Sequence, residues 1–389
     1  MRFLPVLLAV GLLGDKFPPR DFVEYWSAAR VLQSGGNPYD HLQLLEVQRS
    51  ALNKPELQEP TLLWTPPYTL PVYLPFGYLP FETAHVVWVI SQLVLIFASM
   101  VLLSLAYRAT PPQRFLGWLM PLVYAPVFWC LHFGQNTALL LFGLSGFLLC
   151  RTRNRPWLAG LFAALTAIKP HMLAAFGIVL VLDAYTRSGR RALLSGVLAI
   201  AVALGIVFAF NANIISQFQE ALNRPTSENA TSLKDWDVPL LSYQLRVAIA
   251  PDAFWVQFVP CGIVCILAAV HYWRNRRTWN WLREMPMLVL LSAVFAPYGG
   301  WIFDMTILLL PIFAAMLTMM NHTGRKPLEQ VLILALTVIF LALSYTALKI
   351  HGLADSLWHA PLMALLVCAF PEFIRRSDSA IQHSPNRAE

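Results

Sequence analysis

Residues 21–40, DFVEYWSAARVLQSGGNPYD, hold the pattern from which the rest of the chain is read. Pro18 and Pro19 stiffen the approach, and Asp21 followed three residues later by Glu24 has the form of a capping box. Phe22, Tyr25, Trp26, Ala29 and Leu32 recur at helical spacing and predict one apolar, aromatic face. Gly35-Gly36 ends the predicted helix, and Asn37-Pro38 turns the chain before Tyr39-Asp40. Asp21 therefore has two readings: a helix N-cap, or a carboxylate fixed for chemistry at the tip of an aromatic helix.

The surroundings are those of a membrane. Apolar residues make up 57% of the 389, charged residues 13%, and the mean hydropathy is +0.57. Soluble domains carry roughly a quarter charged residues, so the class is an all-α polytopic membrane protein. No basic run with interleaved aromatics lies outside the apolar segments, which argues against a nucleic-acid partner for the net charge of +7. The five cysteines fall in or beside apolar segments at spacings that fit neither a disulfide framework nor a zinc site. Phe3–Leu13 has signal-peptide length, but no small-residue cleavage site precedes Asp15, so a retained first span is predicted.

Further spans are predicted near 83–107, 115–131, 136–150, 157–168, 171–185, 192–211, 254–273, 286–297, 302–320, 328–348 and 357–373. That makes about twelve transmembrane helices. Trp64–Pro80, WTPPYTLPVYLPFGYLP, holds five prolines and is predicted to be re-entrant or interfacial, because unsatisfied backbone is not tolerated against lipid. Residues 212–253 read as one long polar loop. With the N-terminus inside, the inner loops hold most of the 28 Lys and Arg, as the positive-inside rule requires. Residues 1–376 then form a single integral membrane domain, and 377–389 a disordered cytoplasmic tail. The predicted address is the inner (plasma) membrane, with the site facing outside or the periplasm.

In this topology the unusual polar clusters share the outer side and outline one cavity. Lys169-Pro170-His171 interrupts two apolar runs; an intramembrane lysine costs about 2.5–3.5 kcal/mol and needs a partner. Lys169 and His171 suit a phosphate held at the membrane surface, the alternative being a lysine that snorkels. His132-Phe-Gly-Gln135-Asn136 is predicted to start a helix and offers amides for hydroxyls or an anion, or else a cap and a turn. Pro297-Tyr298-Gly-Gly-Trp301-Ile-Phe-Asp304 sets aromatic faces beside a carboxylate, as a sugar site needs, with an interfacial belt and an N-cap as the alternatives. Asp235-Trp-Asp237 has a D-x-D form, and Asn229-Ala-Thr231 is a sequon.

The ordered set D-F-x-x-Y-W-x-A-A, T-P-P-Y, F-G-Q-N, K-P and A-P-Y-x-x-W-x-x-D resembles the polyprenyl-phosphate-mannose-dependent mannosyltransferases (glycosyltransferase family eighty-seven, GT-C superfamily) over residues 15–320. The resemblance implies a GT-C-like fold and a sugar taken from a polyprenyl-phosphate donor on the outer face. The acceptor is a lipid or glycan hydroxyl, and Asp21 is the expected base. Family members tend to carry histidines after the tryptophan; Phe303 and Asp304 stand there, so the sugar and acceptor stay open. Donor phosphate is assigned to Lys169 and His171. Sugar and acceptor contacts are assigned to Glu24, Tyr25, Tyr39, His132, Gln135, Asn136, Tyr298, Trp301 and Asp304. No cofactor and no metal ligand is expected; a divalent ion is not required, because a lipid phosphate is a competent leaving group. A lipid-sugar flippase and a non-catalytic glycolipid-binding subunit are the other classes. The first predicts polar clusters mirrored on the inner side, where mostly arginines occur.

Overall fold

The computed structural model describes residues 21–223 and 240–321, and every regular element within them is helical. The first span, the spans at 328–348 and 357–373, the D-x-D, the sequon and the tail lie outside these residues. α1 (Phe22–Gln33) ends where the glycines predict, with Gly35 at a φ of 76°. It is not a one-faced helix: Val23, Ala28 and Val31 are buried as well as the predicted face, and only Arg30 is exposed. α2 (His41–Leu52) follows at once, capped by Asp40, whose carboxylate accepts from the Gln43 N–H at 2.9 Å.

The proline segment forms a 3-10 turn (Pro67–Thr69) and α3 (Leu70–Gly77). Eight residues rise about 12 Å, far short of the ~30 Å of a bilayer core. Side chains of α1 take the carbonyls there: Gln33 Nε2 donates to Leu74 O (2.6 Å), Arg30 Nη1 to Gly77 O (2.8 Å) and Trp26 Nε1 to Leu79 O (3.1 Å). A short helix with Pro75 inside it is stable because α1 supplies donors to its exit end.

Three described segments are long and apolar enough to cross a membrane: α4 (Phe81–Ala106), α10 (Arg187–Phe210), and Phe254–Asn275, which contains α13 (Phe258–Asn275). The number is four if α5 (Pro111–Val123) and α6 (Ala125–Phe133), separated by a break at Tyr124, count as one span. Other predicted spans appear as shorter apolar helices: α7 (Thr137–Thr152), Pro156–Ile168 with α8 (Pro156–Ala164), Pro170–Asp183 with α9 (Ala174–Asp183), and Ile302–Thr318. The polar stretch 212–253 is not a plain loop. It carries α11 (Ile214–Asn223) and α12 (Leu241–Ile249), both too short to span. Leu194, Leu198 and Val202 of α10, and Ile263, Ile266 and Leu267 of α13 (Phe258–Asn275), are large apolar side chains left exposed, as lipid-facing residues are.

The chain divides into two units. The first takes in Met1–Ser99, Pro126–Pro170 and Ala184–Trp236. In it α1 packs on α2 and α3, and α8 packs on α7 and α10. The α8–α10 crossing is backbone-close: a Cβ on Gly160 would lie 1.9 Å from Ala192 O, and Ser195 Oγ donates to Trp157 O at 2.8 Å. The second takes in Met100–Ala125, His171–Asp183 and Asp237–Glu389. There α9 packs on α13 and on α14 (Trp281–Val294), which packs on α15 (Leu309–Met320). The buried Asp183 carboxylate accepts from Tyr272 Oη (3.1 Å) and Trp281 Nε1 (3.2 Å), pinning these three helices at one point.

Candidate functional site

The site of the first unit begins with a cap that does not form. Asp21 stands at the N-cap position of α1, yet its side chain makes no capping hydrogen bond, so the predicted capping box is absent. Its carboxylate instead accepts from Gln135 Nε2 at 2.6 Å. The same Gln135 amide accepts, at Oε1, from Lys169 Nζ (2.9 Å) and from Tyr25 Oη (3.1 Å). The amide is thus held between a carboxylate and an ammonium, and charge sets its orientation. The flipped amide would point its oxygen at the anion and its NH₂ at the cation. Lys169 is buried, which removes the snorkelling alternative. Asp21 is half-buried.

The F-G-Q-N stretch reaches this place through a tight turn. His132 and Phe133 end α6 instead of starting a helix; α7 begins only at Thr137, so Gln135 and Asn136 lie in the turn between helices. Gly134 has a φ of 68°, and a Cβ there would sit 2.7 Å from Phe22 Cβ. The Asp21 N–H donates to Phe133 O at 3.2 Å, and Trp88 Nε1 donates to Gly134 O at 2.6 Å. The turn is therefore clamped onto the first turn of α1.

Aromatic rings form the floor. Tyr25 stacks on Tyr73 at 4.6 Å, both rings approach Trp88, and Trp88 stacks on Phe22 at 5.4 Å. Asn136 Nδ2 donates to Tyr73 Oη at 2.8 Å, leaving Asn136 Oδ1 buried without a partner. Tyr73 and Trp88 belong to this site and were missed in the sequence. One lies inside the proline segment and the other on an apolar span, where aromatics read as packing.

Glu24 lies in the same nest and is buried. Burial first, then the charge of Asp21, push its carboxyl well above the usual carboxylate range, against the opposing pull of the Tyr25 hydroxyl and Lys169. A carboxyl raised in the fold binds its proton more tightly there than in the unfolded chain. Its contribution to stability is therefore complete at low pH and is lost as pH rises through the folded value. Glu24→Gln should accordingly gain thermal stability over the parent between about pH 5 and pH 8, by on the order of 1–3 kcal/mol, and match it near pH 4. A variant that loses ground as pH rises would show that Glu24 is ionised in the fold.

The remaining predicted residues go elsewhere. Tyr39 is buried, its hydroxyl donating to Thr65 O at 3.0 Å and its ring 5.1 Å from Phe218. His132 stacks with Phe128 at 5.9 Å. The boundary between the units falls inside the Lys-Pro-His motif: Lys169 belongs to the first unit and His171 to the second. In that second unit His171 stacks on Tyr298 at 4.4 Å. Trp301 precedes the 3-10 helix Ile302–Leu308, and Asp304 is not its N-cap. It is the third residue in and fully buried, with its carboxylate turned back to accept from the Trp301 N–H at 3.1 Å.

Among the described residues no group of three or more His, Cys, Asp or Glu could hold a metal ion. No curated protein and no solved structure matches the chain. The family model of glycosyltransferase family 87 does match, over residues 64–297. That stretch is more than half of the chain. It contains Tyr73, Trp88, Gln135, Asn136 and Lys169, and starts after Asp21. A chain whose regular elements among the described residues are all helical, with membrane-length apolar helices, and that keeps this pattern over more than half of its length belongs to glycosyltransferase family 87, and is therefore a glycosyltransferase.

Proposed function

We propose that this glycosyltransferase moves a sugar, with inversion, from a polyprenyl-phosphate donor to a hydroxyl of a lipid or glycan acceptor at the outer face of the inner membrane. The observation that carries the reading is the Asp21–Gln135–Lys169 chain, a half-buried carboxylate and a buried ammonium locked to one amide. Asp21 takes the proton of the acceptor hydroxyl while that oxygen attacks the anomeric carbon. The bond from that carbon to the phosphate oxygen breaks, and the polyprenyl phosphate leaves with its electron pair. Lys169 offsets the charge growing on the leaving phosphate. Gln135 keeps the two charged groups apart and oriented, so neither must reorganise during the step. Tyr25 and Tyr73, both buried, hold the amides of Gln135 and Asn136 in place through their hydroxyls, and the raised carboxyl of Glu24 disfavours it as a second base. The architecture proposed is GT-C-like, with about twelve spans in one integral domain, 1–376.

The chemical test is transfer by the purified protein from synthetic polyprenyl-phosphate sugars, with the anomeric configuration of the product read by NMR. Inversion is expected; a retained configuration would overturn the single displacement. The side of the membrane is tested separately on a cysteine-free background. Single cysteines at the exposed positions Glu46 and Asn223 should react with an impermeant thiol reagent from outside, and those at Arg153 and Arg190 from inside only. Glu46 and Arg153 labelling from one side would sink the topology.

A further inference from the structure

Among the described residues of the second unit, one buried charge has no hydrogen-bonded counter-charge. Arg246, on α12, is 7% exposed, and its Nε is sealed from solvent with no hydrogen-bond partner. Among the described residues no carboxylate and no hydrogen-bond acceptor pairs with its guanidinium. Only aromatic faces approach it, Tyr243 at 5.3 Å and Phe254 at 5.9 Å from the guanidinium carbon to the ring centroids. Cation–π attraction recovers part of the cost of burying the charge. A largely buried charge without a hydrogen-bonded counter-charge is still costly to hold. Such a group persists where an anion arrives to complete it.

The elements next to Arg246 show what else that anion carries. Phe254 opens the 3-10 turn Phe254–Gln257 packed on α12 and stands edge-on to Phe258 at 5.4 Å; Phe258 in turn lies 5.8 Å from Tyr298, the ring stacked on His171. Gln257, 1% exposed, donates through Nε2 to Pro297 O at 2.7 Å, and its Oε1 is a second buried polar atom with no partner. An arginine fork lacking an anion, an amide oxygen lacking a donor, and a run of aromatic faces ending at Tyr298 suit a phosphate group attached to a hydroxyl-bearing or apolar body. We infer that Arg246 is the anchor of a phosphate site, one that takes the phosphate of a lipid. The source is either an isoprenoid phosphate or an anionic phospholipid headgroup. The site stands on Arg246; only the isoprenoid alternative rests on the function proposed above.

The test uses the full-length protein in nanodiscs of neutral phosphatidylcholine. Binding is followed by native mass spectrometry and by the ligand-induced rise in melting temperature. The probes are a short-chain isoprenyl monophosphate, inorganic phosphate, and phosphatidylglycerol mixed into the disc. Arg246→Gln and Arg246→Met should weaken binding of at least one lipid phosphate by about 10- to 100-fold, the loss expected for a hydrogen bond to a charged group. Arg246→Lys should keep part of it, as a point charge without the fork. Loss for the isoprenyl phosphate identifies that lipid as the source, and loss for phosphatidylglycerol identifies the bilayer. In neutral discs without ligand, Arg246→Met should melt no lower than the parent, since it removes an uncompensated charge. Variants that bind all three probes like the parent would overturn the inference. So would an Arg246→Met protein that fails to fold, because the arginine is then a packing residue. Asp21→Asn run in parallel should bind like the parent, so failure of the proposed chemistry and failure of this site are told apart.

Discussion

Asp21→Asn should fold like the parent and lose about 10²–10⁴-fold in turnover, the range general-base catalysis supplies. The structure makes this substitution clean in a way the sequence did not. A cap residue replaced by Asn keeps its capping bond, so a capping role predicts little change. Asp21 makes no capping bond, and its carboxylate is spent on Gln135 Nε2. The Oδ1 of Asn at position 21 can still accept from that amide, so the turn over α1 and the donor side stay in place. What the variant lacks is a group that takes a proton. Asp21→Glu restores that chemistry with the carboxylate displaced by about one bond length, and a partial loss is expected. The measurement is turnover from polyprenyl-phosphate sugar at saturating donor, with the melting temperature taken on the same samples. A well-folded Asp21→Asn protein that turns over like the parent would remove Asp21 from the mechanism.

Lys169→Met should raise the donor KM by about 10- to 100-fold, as expected when a charge-assisted contact to phosphate is lost, with kcat falling less. Methionine keeps the length and apolar stem of the lysine, so the space between the Lys-Pro break and Gln135 stays filled. The competing role for Lys169 is electrostatic housekeeping for Asp21, whose charge it faces through Gln135. That role predicts a different pattern: lower stability with an unchanged donor KM. Lys169→Arg, which keeps the charge, should recover most of the affinity under the first role. Steady-state kinetics against donor concentration, together with thermal unfolding, separates the two. A donor KM equal to the parent's in Lys169→Met would leave Lys169 a structural ion.

The two predictions rest on residues that were unequally visible in the sequence. Asp21 and Lys169 stand out because a charge beside an apolar run is expensive wherever it lies. Gln135 stood out only as part of F-G-Q-N, and its placement was misread: a helix start was expected where the chain makes a turn. The signal was present, since Gly134 between Phe133 and Gln135 allows a positive φ and a close approach to Phe22. Tyr73 and Trp88 gave no such signal. An aromatic among prolines or on an apolar helix looks the same whether it packs in lipid or floors a site. The span count shows a similar limit. Hydropathy records how long an apolar run is and not where its helix breaks. Tyr124 interrupts a run that reads as a single span, and the 3-10 turns at Leu165–Ile168 and Pro170–Leu173 shorten the α-helices of two others.

Composition alone established a helical membrane protein. An apolar share of 57% with so few charges leaves no water-exposed surface to build on, and lipid accepts backbone only as helices or closed barrels. The boundaries of α1 were equally local, since Gly35 and Asn37-Pro38 act on the backbone beside them. The partner of Asp21 was not local. At the head of α1 its carboxylate had a cap within reach, and only the Phe133–Asn136 turn, brought from 114 residues away, offered Gln135 as the acceptor's alternative donor. The same holds for Glu24, whose carboxyl is pushed up because the fold closes around it and sets Asp21 beside it. Local backbone preferences are written in neighbouring residues. The charge state and orientation of a side chain depend on what the chain brings against it.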